Sequence, residues 1–207
     1  MGQFIVTIAR QYGSGGKTIG QMLAERLQIP CYDREIITMA SEDSGINARL
    51  FSDERLKPGF WSLLKRQYHE SVPVSPENTK FIEADNLYNF QAKIIRQLAE
   101  QGPCVIIGRC ADHILRERTD VARVLVHAPE DFCLQEAAKV DSLPEADLRR
   151  KIAQTDEYRA KFYQYYTGKE WLNAKNYDLA LNSAVLGFAG TVDAIAAYLA
   201  VRERTNP

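Results

Sequence analysis

An apolar run, Phe4 to Ala9, leads directly into "RQYGSGGKTIG" (10–20), which carries four glycines and the triplet Gly16-Lys17-Thr18. Few folds accommodate that join. The run is nearly continuous, as a strand covered on both faces would be. After the glycines, Ile19, Met22, Leu23 and Leu27 recur at helical spacing, and Pro30 ends the pattern. A strand, a glycine loop and a helix in this order make an anion site. The first N–H groups of the helix have no intrahelical partners and point outward, and glycines let the backbone wrap closely around an anion. A lysine adds a full charge, and a Ser/Thr hydroxyl can hold the Mg ion that accompanies phosphates.

The pattern G-x-x-x-x-G-K-[ST] is met only in part, because Gln11 stands where its leading glycine belongs. Two registers fit. In the first, Lys17 and Thr18 are the lysine and the hydroxyl. Gln11 then requires a negative φ, with the Gly13–Gly16 cluster making the sharp bends. In the second, Gly13-Ser14-Gly15 form the middle of the loop, Gly16 takes the lysine's place and Lys17 falls one residue further on.

Further strands are expected at "IPCY" (29–32), "CVIIG" (104–108), "VARVLVHA" (121–128) and "YDLALN" (177–182). Helices are expected at "EIITMASED" (35–43), at about 81–101 up to Gly102-Pro103, and at "TVDAIAAYLAVRER" (191–204). Strands alternating with helices imply a parallel sheet covered on both faces. The stretch from about 47 to 79 differs: it holds three of the eight prolines, several charges and the aromatics Phe60, Trp61 and Tyr68. It reads as a mobile helical insert.

A chain of 207 residues suits one domain, and a net charge of -1 gives no general attraction to nucleic acid or anionic membrane. No stretch is expected to be long and apolar enough to span a bilayer, and the N-terminus lacks the order of regions of a signal peptide. Cys31, Cys104, Cys110 and Cys133 form no CxxC pair, and His69, His113 and His127 show no ligand spacing. The cysteines read as buried free thiols. The expectation is a cytoplasmic protein with no nucleic-acid polymer and no membrane as partner.

Three further segments are distinctive: "YDREI" (32–36), "IIGRCAD" (106–112), and "DEYRAKFYQYYTGKEW" (156–171) ahead of "YDLALNS" (177–183). With the glycine loop, in this order, they resemble the cytidylate kinase-like family of P-loop proteins over nearly the whole chain. The resemblance implies an α/β, three-layer P-loop NTPase fold: a five-stranded parallel sheet in a single domain, 1–207, with a helical acceptor-binding insert at about 45–80 and a helical lid at about 145–172. It implies ATP and Mg2+ as cofactors and a nucleoside monophosphate as acceptor, CMP or dCMP first.

Residue by residue, the resemblance puts Gly13, Ser14, Gly15, Gly16, Lys17 and Thr18 on the ATP phosphates, with Thr18 on the metal. Asp33, Arg34, Arg109, Asp112 and Asn182 would bind the acceptor, Asp112 either reading it or positioning Arg109. Lys17, Arg109 and Arg159 would be catalytic, Arg159 from the lid. A guanidinium suits an acceptor phosphate because it offers two parallel N–H bonds. Cytidylate kinases usually place an Asp before the Gly-Arg pair and an Arg-Asp pair in the lid; here Ile107, Ile152 and Ala153 stand there. Arg149, Arg150 and Lys151 are candidates to supply the lid's charge. A small-metabolite kinase, with Asp33 accepting a hydroxyl proton, and a nucleotide-binding sensor with little turnover are the rival readings. Phe60 and Trp61 suit either a homodimer contact or a base pocket.

Overall fold

The computed structural model describes residues 4–45 and 84–205. The insert expected at about 45–80, with Phe60 and Trp61, therefore lies outside the described residues apart from Gly45. The chain divides into two compact units, Met1–Asp33 with Ile95–Pro207, and Arg34–Ile94.

The first unit is built on five strands: β1 (Ile5–Arg10), β2 (Cys31–Tyr32), β3 (Val105–Ile107), β4 (Val121–His127) and β5 (Leu179–Asn182). All neighbours pair in parallel, in the order β2-β3-β1-β4-β5. β1 thus lies centrally, with β3 on one side and β4 on the other. Chain order diverges there, and in open α/β sheets ligands bind beyond the strand carboxyl ends at such a point.

The helices of this unit follow from the sequence pattern. α1 (Gly16–Leu27) starts at the glycine loop and ends where Gln28 turns left-handed. Its buried Ile19, Leu23 and Ala24 join Val6 and Ile8 of β1, Val105 and Ile107 of β3, and Val124 and Val126 of β4 in the main core. Each of these Val, Leu and Ile side chains, fully buried, stabilises by about 1.5–3 kcal/mol. Within Arg34–Ile94, α2 (Glu35–Ser44) closes at the left-handed Gly45. The boundary between the units falls within α3 (Ala84–Gln101). A short α4 (Ala111–Ile114) follows β3, and α5 (Glu130–Ala138) follows β4.

α6 (Glu145–Thr167) is one unbroken helix over the stretch expected to form the lid, opened by Pro144 and closed by the left-handed Gly168. Its Leu148 and Ile152 pack on Leu134 and Ala137 of α5 and on Tyr12. Ile152, one of the departures from the cytidylate kinase pattern, is an aliphatic contact in that cluster.

The larger departures from the expected boundaries are at β2, β5 and the last helix. β2 has two residues, and β5 starts at Leu179. The last helix, α7 (Ser183–Thr205), starts eight residues before Thr191, because Asn182 Oδ1 accepts from the Ala184 N–H at 3.0 Å and Gly187 carries the break in mid-element. α7 also corrects the expectation about apolar stretches: by length and composition it is apolar enough to cross a bilayer. In the fold, its Val192, Ile195 and Leu199 are buried in the main core beside α1.

Candidate phosphate site

The loop between β1 and α1 bends at two glycines. Gly13 has φ 80° and Gly15 has φ 76°, both left-handed. A side chain at either place would be strained and crowded: a Cβ on Gly13 would lie 2.8 Å from Cys133 Cα, and one on Gly15 would lie 2.9 Å from Phe188 Cδ1. Gln11 is not among the residues with positive φ, so it meets the condition set for it above. Its backbone N–H donates to the Val126 carbonyl at 3.2 Å, and its Oε1 accepts from the Ala128 N–H at 3.2 Å. Gln11 thus secures the loop to the end of β4.

Ser14 is fully buried and turned inward. Its hydroxyl bonds to the carbonyls of Gln11 at 2.9 Å and Val126 at 3.2 Å, and its own carbonyl accepts from the Ser183 hydroxyl at 2.7 Å. The side chain of Ser14 therefore belongs to the frame of the loop. No side chain caps α1 at its N-terminus, where Gly15 is the cap residue. The first N–H groups of α1 consequently point beyond the strand ends, the arrangement that receives anions.

Cations gather around the loop. Lys17 is 53% exposed, and its Nζ lies 3.2 Å from Asp33 Oδ2. Arg10 Nη2 lies 3.9 Å from the other oxygen of Asp33, which follows β2 and is largely buried. Thr18 is exposed on the first turn of α1. From α6, Arg159 Nη1 donates to the Arg10 carbonyl at 3.1 Å and to Asp156 Oδ1 at 3.2 Å. The same oxygen accepts from the Tyr12 N–H at 2.8 Å. Burial pushes the Asp156 carboxyl above its ordinary range, and Arg159 with the Tyr12 N–H opposes that rise. Tyr12 also donates its hydroxyl to Asp141 at 2.5 Å, and Lys151 donates to Asp141 at 2.6 Å.

The rest of the basic face of α6 is occupied locally. Arg149 pairs with Glu130 and Glu145, Arg150 with Asp147, and Lys161 with Glu157. Its aromatics pack on one another, with Phe162 and Tyr166 centroids 4.7 Å apart and Tyr165 and Tyr166 4.8 Å apart. Tyr163 is buried.

Beyond β3, Gly108, Arg109 and Cys110 are successively left-handed, at 74°, 59° and 54°. For Arg109 and Cys110 that conformation is strained, and such strain persists where surrounding structure imposes it, often at functional sites. Asp112 lies buried on α4 and accepts from the Tyr163 hydroxyl at 2.7 Å. Burial raises its carboxyl above the ordinary value, against the lowering effect of that hydroxyl. Tyr163 is itself raised well above the tyrosine range, first by burial and then by Asp112. Asp112 thus links the Arg109 turn to α6.

Of the residues expected in the site, the first unit brings Gly13, Gly15, Gly16, Lys17, Thr18 and Asp33 together at the loop, with Arg159 reaching its first residue. Arg109 follows β3, which lies beside β1. Arg34 heads α2 in the second unit. Asn182 caps α7 with its side chain. The sequence reading missed Arg10, Tyr12 and Asp156. Arg10 could have been found as the one charge inside the motif's reach at the end of an otherwise apolar strand.

Among the described residues no group of three His, Cys, Asp or Glu side chains is disposed to hold a metal ion. Mg2+ riding on phosphates needs only one or two protein oxygens. The exposed Thr18 hydroxyl, on the helix turn that opens the anion site, is of that kind.

Comparison with solved structures identifies the fold. An uncharacterized protein from Eubacterium ventriosum ATCC 27560 is 21% identical, with TM-score 0.70, over 95% of this chain and 98% of that one. Shikimate kinase from Bacteroides thetaiotaomicron is 13% identical, with TM-score 0.55, over 96% of this chain and 99% of that one. A shikimate kinase from Acinetobacter baumannii, solved with shikimate, is 12% identical, with TM-score 0.52, over 97% and 94%. These likenesses establish the P-loop kinase fold. None of the curated proteins matches the sequence. The family model for the cytidylate kinase-like family matches residues 5–185, and the chain belongs to that family.

Proposed function

We propose that this protein transfers the terminal phosphoryl group of ATP to a nucleoside monophosphate, with CMP and dCMP the first acceptors to test. One observation carries the reading: cations from three elements converge on a single glycine loop. Arg10 ends β1, Lys17 opens α1, and Arg159 reaches across from α6 to the Arg10 carbonyl.

Phosphoryl transfer requires little covalent work from a protein. Donor and acceptor must be aligned in line, spreading charge neutralised, and water excluded. The loop's N–H groups and Lys17 would hold the ATP phosphates. Arg109 would hold the acceptor phosphate, which is already anionic and needs no strong general base. Arg159 would stabilise charge from the side of α6, which would serve as the lid that excludes water. Thr18 would hold Mg2+, which supplies charge neutralisation on the phosphate oxygens. Cys31, Cys104, Cys110 and Cys133 form no disulfide, which fits a reducing cytoplasm. Burial pushes the thiols of Cys104 and Cys133 up to about 11, which makes both poor nucleophiles.

Asp33 favours a second reading. A largely buried carboxylate beside the phosphate loop, held by Lys17 at 3.2 Å, would accept a proton from a hydroxyl acceptor. The fold likeness to a shikimate kinase fits this equally well. The test is ADP release with Mg-ATP against a panel of nucleoside monophosphates and small polyols and hydroxy acids. Turnover with monophosphates alone supports the first reading, and turnover with hydroxyl acceptors alone the second. Tight ATP binding without turnover supports a nucleotide sensor.

A further inference from the structure

The loop's second register has a consequence in three dimensions. There the motif's leading glycine falls at Arg10, its second glycine at Gly15, its lysine at Gly16 and its hydroxyl at Lys17. Measured against G-x-x-x-x-G-K, the chain has exchanged residue types between two positions: a cation stands first, and a glycine stands where the cation belongs. The two positions touch. A Cβ built on Gly16 would collide with Arg10 Cβ and lie 2.9 Å from its Cγ. A long side chain at 16 and the arginine at 10 therefore exclude one another.

From Gly16 the side chain of Arg10 runs over a second glycine. A Cβ on Gly108 would collide with Arg10 Nη1 and lie 2.9 Å from Cζ. Gly108 begins the left-handed turn that carries Arg109, and its N–H bonds to the Ile8 carbonyl at 2.9 Å. The Arg10 side chain, only 17% exposed, is thus laid across the carboxyl ends of β1 and β3, with Asp33 at the end of β2 3.9 Å from its Nη2. Its backbone carbonyl is held by Arg159. Lys17, by contrast, is half exposed on the first turn of α1.

Resting on the reading of this loop as an ATP phosphate site, we infer that Arg10 is the principal phosphate-binding cation, in place of the lysine that the motif puts at the helix start. A guanidinium keeps its charge when buried and offers a planar fork to two phosphate oxygens. Asp33 balances that charge when no phosphate is bound. Lys17 has a lesser role at the rim. The two glycines that admit the arginine, Gly16 and Gly108, are then as much part of the device as the arginine itself.

The experiment is a swap. ATP binding is measured by calorimetry, which needs no knowledge of the acceptor, on wild type, Arg10→Gly, Lys17→Ala and the double variant Arg10→Gly/Gly16→Lys. Thermal unfolding of each reports folding. Arg10→Gly is expected to weaken ATP binding by at least about tenfold, on the scale of a lost charged hydrogen bond, and Lys17→Ala by less. The double variant, which restores the ordinary motif in the space Arg10 vacates, is expected to recover most of the affinity. Arg10→Lys guards against a folding defect: it keeps charge and bulk, and its affinity should fall between wild type and Arg10→Gly. If Arg10→Gly binds ATP as wild type does while Lys17→Ala loses binding, the inference is overturned and the phosphate-loop reading stands. A folded double variant no better than Arg10→Gly also overturns it. A wild type that binds no ATP overturns both.

Discussion

Tyr12 in the glycine loop and Asp156 on α6 are joined through a 2.8 Å hydrogen bond from the Tyr12 backbone N–H to the Asp156 carboxylate. The same oxygen receives Arg159, so one carboxylate fixes both the loop and the arginine that reaches it. Asp156→Ala should destabilise the fold by about 1–3 kcal/mol, the cost of an unsatisfied buried donor, and lower kcat by releasing Arg159. Asp156→Asn retains an acceptor for Tyr12 and should recover the stability more than the activity. Urea unfolding alongside turnover separates the two effects. Equal stability in all three proteins would contradict the coupling.

Asp112 makes a prediction about pH. Burial raises its carboxyl in the folded state. A group raised on folding contributes stability below its unfolded pKa and loses that contribution as pH rises through its folded value. Asp112→Asn removes this dependence while keeping an acceptor for Tyr163. Relative to wild type, the variant should therefore gain stability progressively as pH rises from the ordinary carboxylate range toward neutrality. Denaturant unfolding of both proteins across that range gives the difference. A difference independent of pH would show that Asp112 is not desolvated in the fold.

Gly15 is set against the ring of Phe188 and has φ 76°. Gly15→Ala meets both backbone strain and overpacking, together about 2–4 kcal/mol. Adding Phe188→Ala relieves only the overlap. The double variant should be more stable than the sum of the two singles by about 1 kcal/mol or more, yet remain below Phe188→Ala alone. Strict additivity in thermal or urea unfolding would show that the ring does not press on the loop.

How far the sequence carried this reading depended on locality. β1, the glycine bends and α1 follow from a continuous apolar run, residues that accept positive φ, and a helical repeat at Ile19, Leu23 and Leu27, all readable within thirty residues. The start of α7 lies ahead of the expected Thr191 because Asn182 caps the helix at its first turn and Gly187 takes up the break inside it. The partners in the site were hidden for a different reason. Asp156 meets Tyr12, and Tyr163 meets Asp112, across long stretches of chain. The place of Arg10 over Gly16 and Gly108 depends on the pairing of β1 with β3, which no local pattern reveals.

Arg109 stands in a strained left-handed turn beside the phosphate loop's own sheet strand. Arg109→Lys preserves charge but removes the two-pronged geometry. The expected result is a raised acceptor KM or a lowered kcat, with ATP affinity nearly unchanged. Steady-state kinetics with calorimetric ATP titration checks it. Wild-type kinetics with every active acceptor would remove Arg109 from the site.

The proposed function has the loop from Arg10 to Thr18 hold ATP for transfer to a phosphate-bearing acceptor. Its most direct measurement is ADP formation by the whole protein with Mg-ATP, in the presence and absence of each nucleoside monophosphate, with the phosphorylated product identified by mass. ADP release should depend on the acceptor and be matched one for one by nucleoside diphosphate product, with CMP or dCMP the leading acceptor. Saturable ATP binding with no acceptor-dependent ADP across the whole panel would contradict it.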